Sequence, residues 1–162
     1  MDDKNRKRTS EEYMLLAIDL SRKSRFPYGA VLVKDDYIIG RSDWGCGVAK
    51  SSFAHAEMVA IDQALAAGID VSDAILYSSC EPCIMCAGAI LQHGVGELYF
   101  GCTLQDSHSH VTPELILPVT KLAKIIQSDI IIHPQSHRAE ALQAMEEWAK
   151  VGDTVTLKKY FS

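Results

Sequence analysis

Four side chains in two short segments have the types and spacing for joint chemistry. His55 and Glu57 lie in Ala54-His-Ala-Glu57, and Cys83 and Cys86 lie in Glu81-Pro-Cys-Ile-Met-Cys86. Both segments read as the starts of helices. The cysteines are three apart, so on a helix their sulfurs share a face. At a helix N-terminus the dipole and the unpaired N–H groups favour the thiolate, which is the form that binds metal. Two thiolates and one imidazole suit zinc and leave a fourth tetrahedral position for water. Glu57 is placed to hydrogen-bond that water and not to ligate. The competing reading is a closed structural site, because Cys80 would complete a Cys3His set. Cys80 precedes Pro82 and should end a strand, off the face that Cys83 and Cys86 share, and this favours the open, catalytic site.

The elements that must position these groups follow from capping, periodicity and turn residues. Thr9 and Glu12 fit a capping box, and Tyr13, Leu16, Ala17 and Leu20 then recur at helical spacing up to Ser24. Ala30–Val33 and Tyr37–Ile39, joined by Lys34-Asp-Asp36, read as a hairpin ending at Gly40. A helix is expected over Ala54–Ala67, stopped by Gly68, and a strand over Ala74–Tyr77. Pro82 is expected at the first helical position of a helix running to about His93-Gly94. Glu97–Phe100 and Ile130–Ile132 are further strands, and Ser136–Lys150 is a last helix. The stretch 101–129 is too long for a hairpin and suits a helical crossover, expected over Glu114–Lys124 with a disturbance at Pro118. The last two strands should therefore run parallel. Strands alternating with helices describe an α/β sandwich of about five strands.

Composition bounds the function. The chain has 162 residues, 48% hydrophobic and 23% charged, which is enough to bury a core in one domain over 1–162. Residues 1–8 are expected to be a flexible basic start and 155–162 a C-terminal tail. The net charge is −5, and residues 1–8 hold four bases against two acids, so the remainder carries about −7 and has a poor footprint for phosphate. No apolar run approaches the ~18 residues of a membrane span, and the basic start lacks the features of a signal peptide, so a cytoplasmic protein is expected. Five cysteines, three of them within Cys80–Cys86, point to metal or catalysis and not to a disulfide framework.

The order His-x-Glu … Pro-Cys-x-x-Cys is the described signature of zinc deaminases of nucleobases. With Phe26–Val33, Leu76–Ile90 and Leu98–Gly101, it makes the chain resemble the cytidine and deoxycytidylate deaminase superfamily. The branch it resembles holds guanine deaminases and tRNA adenosine deaminases. The resemblance implies a three-layer α/β/α fold with a five-stranded mixed sheet, its last two strands parallel. It implies a zinc cofactor on His55, Cys83 and Cys86, with Glu57 moving protons between water, ring nitrogen and leaving ammonia during hydrolytic deamination. By the same analogy the Ala56 N–H holds the base edge, and Phe26, Glu81 and His108 join the substrate-binding candidates. A homodimer is implied, with a C-terminal segment over an active site; Tyr160 or Phe161 would stack on the ring there, unless the tail packs on its own domain.

The expected substrate is a small nucleobase-like molecule, guanine first. The alternatives are a tRNA adenosine deaminase and, from a different class, a non-catalytic zinc-binding module. One departure from the family bears on this choice. Its members usually carry an Asn about eleven residues before the ligand histidine, and here that place falls on or near Trp44, with Asp43 beside it. Asp43 could replace the Asn, or Trp44 could stack on the ring. Cys46 reads as a loop thiol and Cys102 as a packing residue. His108 and His110 resemble a second metal pair but read by default as a solvated loop, and His133 and His137 as helix-entry and surface residues.

Overall fold

The computed structural model describes residues 7–42, 53–111 and 115–152. Asp43, Trp44, Cys46 and the tail 155–162 lie outside the described residues, as do residues 1–6. The chain opens with α1 (Ser10–Lys23), the hairpin β1 (Ala30–Lys34) and β2 (Tyr37–Arg41), and α2 (Ala56–Ala66). Next come β3 (Ile75–Cys80), α3 (Ile84–Gln92), β4 (Glu97–Cys102) and α4 (Leu104–His110). The last are α5 (Val119–Ile125), β5 (Ile131–His133) and α6 (Arg138–Val151).

Local chemistry accounts for the expected elements. The Thr9 hydroxyl accepts the Glu12 N–H at 3.2 Å, and the Glu12 carboxylate accepts the Thr9 N–H at 2.8 Å, so the capping box forms. The hairpin turns on Asp35 and Asp36, with φ of 51° and 66°, the left-handed pair that matches strand twist in a two-residue loop. Lys7 extends the contact by pairing with Asp36 at 2.9 Å, so the basic start is tied to the hairpin from Lys7 onward.

The sheet order is β2-β1-β3-β4-β5. β1 is antiparallel to β2 and β3, whereas β3, β4 and β5 are parallel. This is the expected five-stranded mixed sheet. Period-2 alternation splits its side chains between two cores. Leu32, Leu76 and Leu98 meet α2, α3 and α5 on one face. Val31, Val33 and Tyr77 meet α1 and α6 on the other. Among the described residues, no helix is long and apolar enough to cross a membrane.

The crossover differs from the expectation. It holds two helices, α4 and α5, and Pro118 is the N-cap of α5 and not a disturbance within a helix. The overlooked signal was Thr103-x-x-Asp106, which forms a second capping box and turns the His108–His110 stretch, expected to be a solvated loop, into helix. Two helix starts also shift. α2 begins at Ala56, with His55 as its N-cap, and α3 begins at Ile84, with Cys83 as its N-cap, so Pro82 stands before the helix.

Glycine permits one close approach that supports the site. A Cβ on Gly40 would lie 1.9 Å from the Ala60 carbonyl oxygen, because β2 runs directly against α2. Gly40→Ala must push strand and helix backbones apart. It is expected to cost about 3 kcal/mol, at the upper end of overpacking effects, measurable as a lowered denaturation midpoint at unchanged slope.

Candidate metal centre

His55 and Cys83 stand where α2 and α3 begin, each extended with ψ of 157° and 169°, and neither side chain caps its own helix. They turn toward one another instead. Cys83 Sγ is 3.5 Å from His55 Nδ1 and 3.6 Å from Cys86 Sγ. The three donor atoms lie within 4.8 Å of one another, and this is the group of three or more metal-donor residues found among the described residues. With Zn–S of about 2.3 Å and Zn–N of about 2.0 Å, tetrahedral angles put two sulfurs ~3.8 Å apart and a sulfur ~3.5 Å from a nitrogen. The Cys83–His55 and Cys83–Cys86 spacings match those edges, so the residues present fit a zinc ion. The Cys83 thiol is pulled down by its hydrogen bond with Cys86 and by His55, while the Cys86 thiol is pushed up by the same bond and by burial.

Glu57 follows His55 by two residues in the first turn of α2 and is buried. The Ser78 hydroxyl donates to its Oε1 at 2.9 Å. Burial, then the charge of Cys83, pushes the Glu57 carboxyl above the usual carboxylate range, and His55 and Ser78 recover part of that shift. Ser78 was not singled out from the sequence. The available signal was a pair of hydroxyls, Ser78-Ser79, inside an otherwise apolar strand.

The remaining candidates divide. Ala56 is the first residue of α2 and is buried, so its N–H belongs to the helix end that adjoins the donors. Cys80 ends β3 and is buried, its thiol turned toward the Thr103 carbonyl oxygen at 3.7 Å, and it is not part of the donor group. Cys102 is a core residue. Phe26 is a substrate-binding candidate by the family analogy. It is completely buried in the α1/α6 core, edge-on to Trp148 at 6.5 Å, because Val31 and Val33 bring that face of the sheet against it. His108 is exposed on α4, and His110 turns to the Asp106 carbonyl oxygen at 2.8 Å and to Glu146 at 3.7 Å, so the two histidines do not pair around a common point.

Glu81 also departs from its expected role as a substrate contact. Its carboxylate is buried and taken up by backbone: Oε2 accepts the Leu104 N–H at 3.1 Å and Oε1 the Val119 N–H at 2.9 Å. Those are the first residues of α4 and α5.

α4 is held on its outer side by Asp106, whose carboxylate accepts from the Arg138 guanidinium at 2.6 and 3.1 Å and from the Thr103 N–H at 2.9 Å. Burial alone would raise the Asp106 carboxyl, but Arg138 and Thr103 outweigh it and hold it below the usual range. A carboxyl depressed in the folded chain stabilises the fold above its unfolded value of ~3.9 and loses that contribution as pH falls through the folded value. Asp106→Asn should therefore cost about 1–2 kcal/mol at pH 7 and progressively less in acid, read from urea midpoints at both pH values.

Comparison with known proteins adds an independent line. Residues 7–102 match the model of the cytidine and deoxycytidylate deaminase zinc-binding region. A guanine deaminase of Bacillus subtilis is 46% identical over 66 residues, 40% of this chain and 42% of that one. A tRNA-specific adenosine deaminase 2 of Xenopus tropicalis is 35% identical over 95 residues, 54% of this chain and 56% of that one. These matches span about half the length of the curated relatives. Among solved structures, a guanine deaminase of Nitrosomonas europaea superposes with a TM-score of 0.78 over 91% of this chain and 90% of that one, at 21% identity, a likeness of fold. The matched region runs from α1 to the end of β4 and contains both donor segments, and the chain belongs to the cytidine and deoxycytidylate deaminase family.

Proposed function

We propose that the chain, as one domain over residues 1–162, is a zinc-dependent hydrolytic deaminase of a free purine-like base, with guanine the first candidate. Water replaces the ring amino group, leaving a carbonyl and releasing ammonia. The observation that carries the reading is a His-Cys-Cys donor triangle beside a buried carboxyl that starts the same helix. A zinc ion on His55, Cys83 and Cys86 would supply an acidified water at its open position. Glu57 takes the proton from water and returns protons to the ring nitrogen and the departing amine. Ser78 holds one Glu57 oxygen and so orients the other. The Ala56 N–H meets the edge of the base.

Charge supports a small molecule over RNA. The chain carries −5, and α6 sets Glu140, Glu146 and Glu147 against Arg138 and Lys150, with Arg138 already engaged by Asp106. The tRNA reading draws support from the Xenopus tropicalis relative and would use the same catalytic group. The proposal includes a cytoplasmic homodimer. Cysteines grouped as metal donors suit a reducing compartment, and Ile84, Ile125 and Ile126, exposed on α3 and at the end of α5, suit an interface.

The test is ammonia release from guanine, adenine, cytosine, their nucleosides, aminopterins and triazines, alongside inosine formation in transfer RNA. Release from guanine or a related free base supports the reading. Activity on transfer RNA alone reverses the substrate assignment, and no release from any of them, with zinc bound, leaves the non-catalytic module. Sedimentation of a monomer at micromolar concentration would remove the dimer.

A further inference from the structure

Glu81 sits between the metal loop and the crossover. The parallel strands β3 and β4 pair Cys80 with Cys102, so the chain leaves both at the same end of the sheet and side by side. From Cys80 it runs through Glu81 and Pro82 to the donor Cys83; from Cys102 it runs through Thr103 into α4. The Glu81 N–H donates to the Cys102 carbonyl oxygen at 2.7 Å, which prolongs the ladder by one residue past β3. The carboxylate then does what the ladder cannot. One oxygen takes the first N–H of α4 and the other takes the first N–H of α5, two helix ends that are distant in sequence. Both N–H groups lack a partner within their own helices, and a carboxylate suits the positive end of each.

The clamp is buried. Leu104 and Val119 are fully buried, and Val119 packs in the core shared by α2 and α3. α4 is tied a second time through its Ser107 hydroxyl, 2.9 Å from the Tyr28 hydroxyl next to β1. α5 rests on α3, the helix that carries Cys86. Glu81 therefore ties both helix starts to the chain two residues before Cys83.

We propose that Glu81 is a positioning residue for the metal centre: by accepting the first amides of α4 and α5 it holds the loop Glu81–Cys83 and the start of α3 in the geometry at which Cys83, Cys86 and His55 converge. The inference rests on the zinc reading above but not on the identity of the substrate. A rigid donor loop binds its ion without first being ordered, and outer partners of metal ligands change affinity by roughly 10–100-fold when removed.

The test uses Glu81→Gln and Glu81→Asp in the full chain. The amide keeps one acceptor and turns a donor toward the second N–H, and the aspartate is too short to reach both. Zinc affinity, measured by competition with a chromogenic chelator, should weaken roughly tenfold or more in Glu81→Gln. The amides of 104–107 and 119–122 should exchange with deuterium roughly 10–100-fold faster, as expected for losing a hydrogen bond to a charged acceptor. The visible bands of the cobalt(II)-loaded protein should also change in shape, since they report the ligand geometry directly. Faster exchange with unchanged zinc affinity and unchanged cobalt bands would make Glu81 a stabilising cap only and overturn the proposal. Unchanged exchange would overturn it as well. Should Glu81→Gln fail to fold, Glu81→Asp with the same three measurements decides. A wild-type chain that binds zinc tightly and releases no ammonia from any substrate overturns the deaminase reading alone; one that binds no zinc overturns both.

Discussion

Glu57→Gln is expected to abolish most turnover while leaving the metal centre loaded. The carboxyl is not one of the three donors, and glutamine has its shape and can still accept the Ser78 hydroxyl that holds Glu57 Oε1. What glutamine lacks is an oxygen basic enough to take up a proton and pass it on. A single proton shuttle is worth roughly 10²–10⁴ in rate, and here one group serves water, ring nitrogen and leaving amine, so the loss should reach or exceed the upper end of that range. Zinc content should remain near that of the wild type. Ammonia release on the best substrate, normalised to bound zinc, is the measurement. Near wild-type turnover would show that the proton moves by another route and that the assigned mechanism is wrong.

The second large effect separates an open metal site from a closed one. Cys83→Ala and Cys86→Ala each remove one of three donors and leave two, so zinc affinity should fall by well more than the roughly 10–100-fold typical of outer partners, and activity should fall with it. Cys80→Ser should keep both zinc and activity. Its sulfur faces the Thr103 carbonyl oxygen at 3.7 Å, a contact that a hydroxyl can also make. Equilibrium dialysis followed by elemental analysis decides between the outcomes. Stoichiometric loss of zinc from the Cys80 variant would instead favour a structural Cys3His site.

The candidate site was legible early because its chemistry is carried by residue type and short spacing. His55 and Glu57 are two apart, Cys83 and Cys86 three apart, and both pairs begin helices. Capping residues located α1, and the length of 101–129 required the parallel pairing of β4 with β5. Such features depend on backbone hydrogen bonds within a turn or two and on chain geometry, so they survive without knowledge of the rest of the molecule.

Tertiary structure decided the rest. Phe26, a substrate-binding candidate from the sequence, lies in the core with α1 and α6, edge-on to Trp148, a residue more than a hundred positions away. Ser78 became a partner for Glu57 only once β3 lay beneath the start of α2. Glu81, which belongs to the most recognisable segment of the chain, faces two backbone amides whose positions depend on the register of Cys80 against Cys102 and on where α5 resumes. A buried carboxylate must find donors, but the sequence around it does not say which ones. Partners distant along the chain are chosen by strand register and layer packing, and those are settled only when the whole fold closes.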